Sequence, residues 1–287
     1  MPARTLELIG VLRGSRRPGA GELEALVELA SANKVLLGLL RRAGVGGRLR
    51  ALEEARYRRF AKGVAEVARA LSGLDYALYK FRKPVEHVSV DVDVLVGAGD
   101  VGEAARRLVS RGFRVEVVER YTVTLRRGSA IVDLYTHPSF AWVIYLDGSE
   151  LMRCCAEEFD FEGASVRGLT REAEAVVSAA HAVYKEHVYL LLDYFTVGEW
   201  LTRRALRLSE ELGVADAVRV CRALNDLVDR GLAELPYRLP AGLLAEVYLR
   251  KLAGHPHFRG TLLNALRYLA TRRVGRAVRW RLTRKTY

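Results

Sequence analysis

Two aspartates, Asp91 and Asp93, are the residues of this chain whose types and spacing best suit chemistry. They lie in the run 88–96, where valine occupies every second position and Ser89 precedes both acids. Because side chains alternate along a strand, this pattern predicts one valine face and one face with two carboxylates about 7 Å apart. Like charges at that distance repel unless a cation or strong donors lie between them. We therefore expect a divalent-metal site here, the alternative being solvent-facing acids on an edge strand.

A third aspartate, Asp133, lies inside a strand predicted over 130–136. If that strand neighbours the first one, three carboxylates meet at one place. Oxygen ligands of this kind suit two Mg²⁺ (or Mn²⁺) ions that also bind substrate phosphates, as in phosphoryl or nucleotidyl transfer. We expect Asp91 and Asp93 to bind metal. Asp133 would bind the second ion or accept the proton of an attacking hydroxyl.

The elements that must position these acids divide the chain into three parts. Residues 1–73 show helical spacing of apolar side chains, 74–168 indicate a small mixed sheet with helix 101–111, and 169–287 are helical again. This order predicts an α+β fold. Strands are predicted at 76–81, 88–96, 114–119, 121–126 and 130–136, with a hairpin over 159–167 and a turn at 145–148. The later helices are predicted from 170 to about 187, then at 190–208, 212–231, 240–252 and 259–282.

The composition indicates a globular protein with a sizeable core, since 50% of the 287 residues are hydrophobic. The sequence shows neither an apolar run that could span a bilayer nor a signal-peptide core, so we expect a cytoplasmic protein. Glutamine is absent and asparagine is rare, which indicates a thermophile. Cys154, Cys155 and Cys221 fit no disulfide framework or zinc spacing. We expect idle or buried thiols in a reducing cell, the alternative being a redox-active pair at 154 and 155.

The net charge of +12 is concentrated at the C-terminal end. From Val247 onward the chain contains eleven lysines and arginines and no acid, whereas the remainder is nearly neutral. These cations are Arg250, Lys251, Arg259, Arg267, Arg272, Arg273, Arg276, Arg279, Arg281, Arg284 and Lys285. Such a segment predicts a surface for a polyanion, RNA being the usual one, and the alternative is a solvated basic helix.

Two short segments, Asp91-Val92-Asp93-Val94 and Ile131-Val132-Asp133-Leu134, carry a resemblance to a known superfamily. Together they resemble the DNA polymerase β-type nucleotidyltransferases, in which one strand carries hydrophobic-Asp-hydrophobic-Asp and another carries a third Asp. More closely, the chain is similar to an uncharacterised prokaryotic and archaeal nucleotidyltransferase family over roughly residues 30–205. There a strand ending near a lysine, here Lys80, precedes the Asp-x-Asp strand. A helix with an internal histidine, here His181, follows the third Asp, with Asp193 downstream.

The resemblance implies a nucleotidyltransferase-like core that binds nucleoside triphosphate and Mg²⁺ (or Mn²⁺). It also implies that Asp91, Asp93 and Asp133 are the catalytic and metal-binding residues. One feature of the superfamily is missing, because no Gly-Ser pair that would grip the triphosphate stands between Lys80 and Asp91.

Other polar residues of the core are the available substitutes for that grip. We expect substrate binding from Lys80, Arg82, Lys83, Ser89 and His137. For His137 two other roles stay open, orienting Asp133 and capping the strand end. His181, Lys185 and Asp193 lie at helical spacings that could reach the cleft, and we favour structural hydrogen bonds for them.

These observations predict a metal-dependent nucleotidyltransferase that moves a nucleotidyl group from a nucleoside triphosphate to a hydroxyl acceptor. The basic tail favours RNA, in particular tRNA, as that acceptor. The alternative is a non-catalytic nucleic-acid- or nucleotide-binding protein on a degenerate transferase scaffold, which the missing Gly-Ser pair favours. A third reading is a helical adaptor in which the acids are incidental.

Overall fold

The computed structural model describes residues 4–270 and has an α+β fold, as the sequence predicts. A mixed seven-stranded sheet is packed by helices on both faces. Within residues 4–270, none of the helices combines the length and apolarity needed to cross a bilayer. The end of the predicted helix 259–282 and seven of the tail cations, from Arg272 to Lys285, lie outside the described residues.

The N-terminal part is helical, as its apolar spacing predicts. Its helices are α1 (Arg4–Leu12), α2 (Ala20–Ala32), α3 (Leu36–Arg42) and α4 (Gly47–Leu71). On α4, Val64, Val67 and Leu71 recur at helical spacing and form a buried stripe against the sheet. The long charged helix therefore covers one face of the sheet with its apolar side.

The sheet places the aspartate-bearing strands at its centre. The strands are β1 (Tyr76–Leu78), β2 (Val92–Val96), β3 (Arg114–Val118), β4 (Thr122–Arg127), β5 (Ala130–Tyr135), β6 (Ser139–Phe140), β7 (Val143–Ile144), β8 (Ala156–Phe161) and β9 (Ala164–Leu169). The large sheet has the order β3-β4-β5-β2-β1-β9-β8, while β6 and β7 form a separate pair. Helix α5 (Val101–Val109) follows β2. Strand β2 runs parallel to β5 and antiparallel to β1, so it has a partner on each side.

The predicted strand 88–96 was wrong over its first half. Strand β2 begins only at Val92, because neither neighbouring strand pairs with residues 88–91. Val90, predicted on the core face, is 67% exposed. All five residues of β2 are buried, which differs from the expected strand with one open face. Asp91 therefore lies in a bend just before the strand, and only Asp93 lies on it.

The C-terminal part is helical, with boundaries that differ from the prediction. Helix α6 (Gly148–Cys155) still belongs to the central part, since it precedes β8. The C-terminal elements are α7 (Arg171–His181), a π-helix (Ala182–Glu186), β10 (Val188–Tyr189), α8 (Leu191–Trp200), α9 (Arg203–Glu211), α10 (Ala215–Asp229), β11 (Tyr237–Arg238), α11 (Ala241–Gly254), α12 (Pro256–Thr261) and α13 (Leu263–Ala270). Thr170 caps α7 by accepting a hydrogen bond from the Ala173 amide, so this helix begins where it was predicted. The predicted helix 190–208 is two helices, because Thr202 caps a new one.

Two smaller expectations were also wrong. The turn predicted at 145–148 is a helix start, since the Asp147 carboxylate accepts hydrogen bonds from the amides of Ser149 and Glu150 and caps α6. Cys154 and Cys155 are joined as a disulfide between neighbouring residues, rather than being idle thiols, while Cys221 is a buried free thiol as expected.

The N-terminal and C-terminal helices share one hydrophobic core on the sheet face opposite α4 and α5. Asn33 joins them by polar contacts as well. Its buried side chain donates to the carbonyl oxygen of Leu235 at 3.0 Å and accepts from the amide of Leu191 at 2.8 Å. Because buried amide and carbonyl groups without partners are costly, Asn33 stabilises the contact between the two helical parts.

We predict that Asn33→Ala lowers the free energy of unfolding by roughly 2–4 kcal/mol, since it leaves two buried backbone groups without partners. Urea unfolding followed by circular dichroism measures this change. Glu28→Ala, at an exposed position of α2, is the control and should change stability by less than about 0.5 kcal/mol. An equally small effect for Asn33→Ala would show that the two helical parts do not depend on this residue.

Candidate active site

The register between β2 and β5 brings two of the predicted acids together. Asp93 and Asp133 are direct partners in this parallel pair, and Asp91 precedes β2 by one residue. Each of the three aspartates offers a carboxylate oxygen that lies within 4.8 Å of the others. The convergence expected from the sequence is confirmed, while metal binding by these acids stays a prediction.

Asp91 reaches the other two acids from its bend. The Ser89 hydroxyl donates a hydrogen bond to Asp91 Oδ1 at 2.9 Å. Ser89 thus contacts the acid cluster, as its position in the sequence suggests. Because Asp91 precedes β2, the alternation of side chains along the strand does not fix the direction of its carboxylate. The hydrogen bond from Ser89 holds the carboxylate instead.

Lys80 approaches the cluster through an unusual backbone conformation. The predicted strand 76–81 ends at Leu78, and Lys80 has a φ of 55°, in the left-handed region. Strand alternation would direct Lys80 to the same face as Leu78, but the left-handed turn sends it to the opposite face. There its Nζ lies 2.8 Å from Asp93 Oδ2. The lysine ammonium also lies 5.1 Å from the Tyr79 ring centre and 5.7 Å from that of Tyr135, distances suited to cation–π contact.

Asp93 is a buried carboxylate with only one of its oxygens paired. It is 9% exposed, and its Oδ1 has no hydrogen-bond partner among the described residues. Burial raises the pKa of Asp93 to about 6, against the opposing effect of Lys80. The pair is therefore mostly ionised at neutral pH, and one oxygen of this buried carboxylate stays without a partner among the described residues. A divalent cation at this point would supply the missing partner.

Asp133 is held by the adjacent strand. The Thr124 hydroxyl, directly opposite on β4, donates to Asp133 Oδ1 at 2.5 Å. Burial raises the pKa of the Asp133 carboxyl, and the hydrogen bond from Thr124 partly opposes that shift. Sequence reasoning did not identify Thr124, because its role depends on the register between β4 and β5.

The acids open into a cleft of about 480 Å³ at the junction of all three parts of the chain. Its charged and histidine side chains are Lys34, Glu53, Arg56, Lys80, Lys83, His87, Asp91, Asp93, Asp133, His181, Lys185, Glu186 and Asp193. His181, Lys185 and Asp193 reach the cleft, as their spacing suggested. Lys34, Arg56 and Glu186 were missed, and the first two belong to the N-terminal part, far from the aspartates in sequence.

Lys83 lines the cleft, but its ammonium group is buried against other side chains of the protein. Its Nζ lies 2.5 Å from the Ser178 hydroxyl and 3.8 Å from Glu174 Oε2, and burial lowers the pKa of Lys83. Glu174 also accepts hydrogen bonds from the amides of Phe81 at 2.9 Å and Arg82 at 3.3 Å. This buried network fixes the connection that carries Lys80.

Arg82 and His137, both predicted to bind substrate, lie outside the cleft lining. Arg82 pairs with Glu157 and its guanidinium lies 4.1 Å from the ring centre of Phe159. His137 Nδ1 accepts a hydrogen bond from the Gly148 amide at 3.1 Å, beside the cap of α6. The structure therefore engages both residues in structural contacts away from the three aspartates.

From the end of α7 onward, one polar residue that was predicted near the cleft has a structural partner and another has an unpaired atom. Asp193 accepts a hydrogen bond from the Leu190 amide at 3.2 Å, the structural role that the sequence favoured. His181 differs, because its Nε2 is buried and has no hydrogen-bond partner among residues 4–270, although Glu186 Oε1 lies 3.4 Å away. Burial lowers the pKa of His181 well below its usual range, so it is neutral. The intervening π-helix (Ala182–Glu186) directs Lys185 and Glu186 into the cleft.

The chain is similar in structure to the antibiotic-resistance factor ANT(2'')-Ia. Its solution structure shares 16% sequence identity with a TM-score of 0.37, covering 61% of this chain and 95% of that chain. Its crystal structure in complex with adenylyl-2''-tobramycin shares 16% identity with a TM-score of 0.35, covering 60% and 98%. No protein-family model matches the chain, and no curated protein matches it. At this identity and these TM-scores, function has to be inferred from the site itself.

We predict that the affinity for Mn²⁺ falls as the pH drops through about 6, because protonated Asp93 cannot bind a cation. The raised pKa means that the carboxylate form is lost well above the usual range of an aspartate. Each pH unit below this pKa should weaken binding by about tenfold. Titration calorimetry between pH 5 and pH 8 measures the effect, and a constant affinity across that range would contradict the predicted role of Asp93.

Proposed function

We propose that this chain is a metal-dependent nucleotidyltransferase that transfers a nucleotidyl group from a nucleoside triphosphate to a hydroxyl acceptor. The observation that carries the proposal is the convergence of Asp91, Asp93 and Asp133 within 4.8 Å in a cleft of about 480 Å³. The unpaired, buried Oδ1 of Asp93 supports a cation at this point. A solvated acidic patch would not leave a carboxylate oxygen buried without a partner.

The donor set fits Mg²⁺ or Mn²⁺, since it consists of carboxylate oxygens. Asp91 and Asp93 would hold one ion, and Asp133 would either bind a second or accept the proton of the attacking hydroxyl. Bound there, the ions would neutralise the phosphates and polarise the reacting phosphorus. Lys80 would keep Asp93 oriented through the ion pair, and Thr124 would do the same for Asp133.

The reaction would form one bond and break another. The acceptor hydroxyl oxygen would attack the α-phosphorus, and the bond from that phosphorus to the bridging oxygen of pyrophosphate would break. The leaving pyrophosphate takes the bonding electrons. The hydroxyl proton needs an acceptor, and the Asp133 carboxylate would take it in an arrangement where Asp133 does not bind the second ion.

The charge of the cleft supports a requirement for cations before the nucleotide binds. Among the described residues, six carboxylates and five lysines or arginines line it, and its two histidines have lowered pKa values. The metal-free cleft therefore carries a slight negative charge and opposes a triphosphate. Two divalent cations would reverse the sign and attract the nucleotide.

RNA as the acceptor stays a prediction that depends on the basic tail. Arg250 pairs with Asp216 and Glu246, and Lys251 is buried and donates to the carbonyl oxygen of Gly213 at 2.6 Å. These two cations are thus engaged within the fold. Most of the predicted RNA footprint lies beyond the described residues.

We predict that Asp91→Asn and Asp133→Asn each lower nucleotidyl transfer by about 10²-fold or more, since an amide neither neutralises a divalent cation nor accepts the proton. The assay incubates the protein with Mg²⁺ or Mn²⁺, labelled nucleoside triphosphates and total RNA. Asp226→Asn is the matched control, because Asp226 is exposed on α10 and away from the cleft. Equal transfer by all three variants would contradict the prediction, because it would mean that a contaminating enzyme labels the RNA.

We also predict that nucleoside triphosphate binding weakens by at least about tenfold when EDTA removes divalent cations, because the cleft alone repels the phosphates. Equilibrium dialysis with labelled ATP, with and without Mg²⁺, measures this. If the protein retained as much ATP in EDTA as in Mg²⁺, the claim that the metal-free cleft repels the triphosphate would be wrong.

A non-catalytic binding protein on the same scaffold is the second candidate. It is favoured by the connection from Lys80 to Asp91, which contains neither a helix nor a Gly-Ser pair to grip a triphosphate. RNA retention without any transfer, in wild type and aspartate variants alike, would support it over the enzyme.

A further inference from the structure

The connection between β1 and β2 does not supply a free cation for the triphosphate. Its two lysines in the cleft, Lys80 and Lys83, lie against the buried carboxylates of Asp93 and Glu174. The positive charges of these two lysines are therefore largely neutralised by the two carboxylates. If the cleft binds a polyphosphate, part of the grip has to come from another segment of the chain.

Lys34 has the position and the conformation for this role. It follows α2 and has a φ of 60°, in the left-handed region, at the site after a helix end where glycine is usual. A side chain in this conformation carries a backbone cost that glycine would avoid. Lys34 is exposed, lines the cleft, and forms no ion pair with an acid of the described residues. Lysine thus occupies a position at which glycine would have the lower backbone energy.

The charge of Lys34 acts on other groups that line the same cleft. It contributes to the lowered pKa values of Lys83, His87 and His181, and it partly opposes the raised pKa of the Asp193 carboxyl, after the larger effect of burial in each case. A polyphosphate in the cleft would gain an exposed cation from Lys34.

Arg56 on α4 lines the cleft beside the acids. Its Nη1 lies 2.5 Å from Glu53 Oε1, which anchors the guanidinium while much of the side chain stays exposed. Arg56 also borders a second, smaller cavity of about 240 Å³, which shares Ser89 and Asp91 with the cleft. Guanidinium groups suit phosphate oxygens, because their fork of donors matches the geometry of phosphate.

We propose that Lys34, with Arg56, binds the β- and γ-phosphates of the triphosphate, in place of a Gly-Ser turn between the strands. This inference rests on the proposed nucleotidyl transfer for its ligand. A single triphosphate is favoured over an RNA strand, because both cations face the bounded cleft that contains the three aspartates. The N-terminal helices are then part of the nucleotide site.

Calorimetry with Mg²⁺ and either ATP or tripolyphosphate tests the proposal on the full chain. Lys34→Gly should weaken both ligands by about tenfold or more, as expected for losing a charged contact to phosphate. The same variant should keep or raise the melting temperature, because glycine relieves the left-handed backbone. A purely structural role for Lys34 would move stability and leave affinity unchanged. Arg56→Ala should also weaken both ligands.

The matched controls are Lys62→Ala and Arg58→Ala, at exposed positions of α4 outside the cleft lining, and neither should change affinity. Affinities of Lys34→Gly within about twofold of wild type would overturn the proposal, as would a wild type that binds neither ligand. Weakened binding of a single-stranded oligoribonucleotide, with tripolyphosphate unaffected, would overturn it in favour of nucleic acid.

The outcome separates this proposal from the proposed function. Loss of tripolyphosphate binding in Lys34→Gly, in a wild type that transfers no nucleotide, supports the phosphate site and contradicts nucleotidyl transfer. Unchanged binding in Lys34→Gly, in a wild type that does transfer nucleotide, supports the enzyme and contradicts the assignment of Lys34.

Discussion

The contact between Lys80 and Asp93 is the interaction on which the site depends. The Asp93 carboxylate lies on a buried strand, where desolvation opposes its charge, and the lysine pairs with only one of its two oxygens. Buried ion pairs of this kind are a weak source of stability, since apolar side chains of similar size often do as well. The arrangement is therefore better explained by what the remaining oxygen can bind.

Three features of the fold hold this arrangement in place. The parallel register sets Asp93 beside Asp133, and Thr124 orients Asp133 from the next strand. The left-handed backbone at Lys80 turns its side chain across the sheet, while the buried carboxylate of Glu174 holds the following amides. Helices from both ends of the chain then close the cleft around the acids. The site thus belongs to the whole fold rather than to the sheet alone.

Local patterns were enough to predict the fold class and most of the strands, because these depend on alternation along strands and on the order of elements. The convergence of Asp91, Asp93 and Asp133 was expected only if their two strands were neighbours, as the resemblance to nucleotidyltransferases implies, since short windows of sequence do not contain the pairing of β2 with β5. The position of Asp91 outside β2 was not predictable, because it depends on where the neighbouring strands stop pairing. Lys34 and Arg56 were missed for the same reason, since only the packing of distant helices brings them to the cleft.

A metal site at the three aspartates is tested most directly by the anomalous scattering of crystals grown with Mn²⁺ and a non-hydrolysable nucleoside triphosphate analogue. We expect anomalous peaks within bonding distance of carboxylate oxygens of Asp91, Asp93 and Asp133, with the analogue's phosphates on the same ions. Crystals with ordered analogue and excess Mn²⁺, but no anomalous peak at these three aspartates, would contradict it.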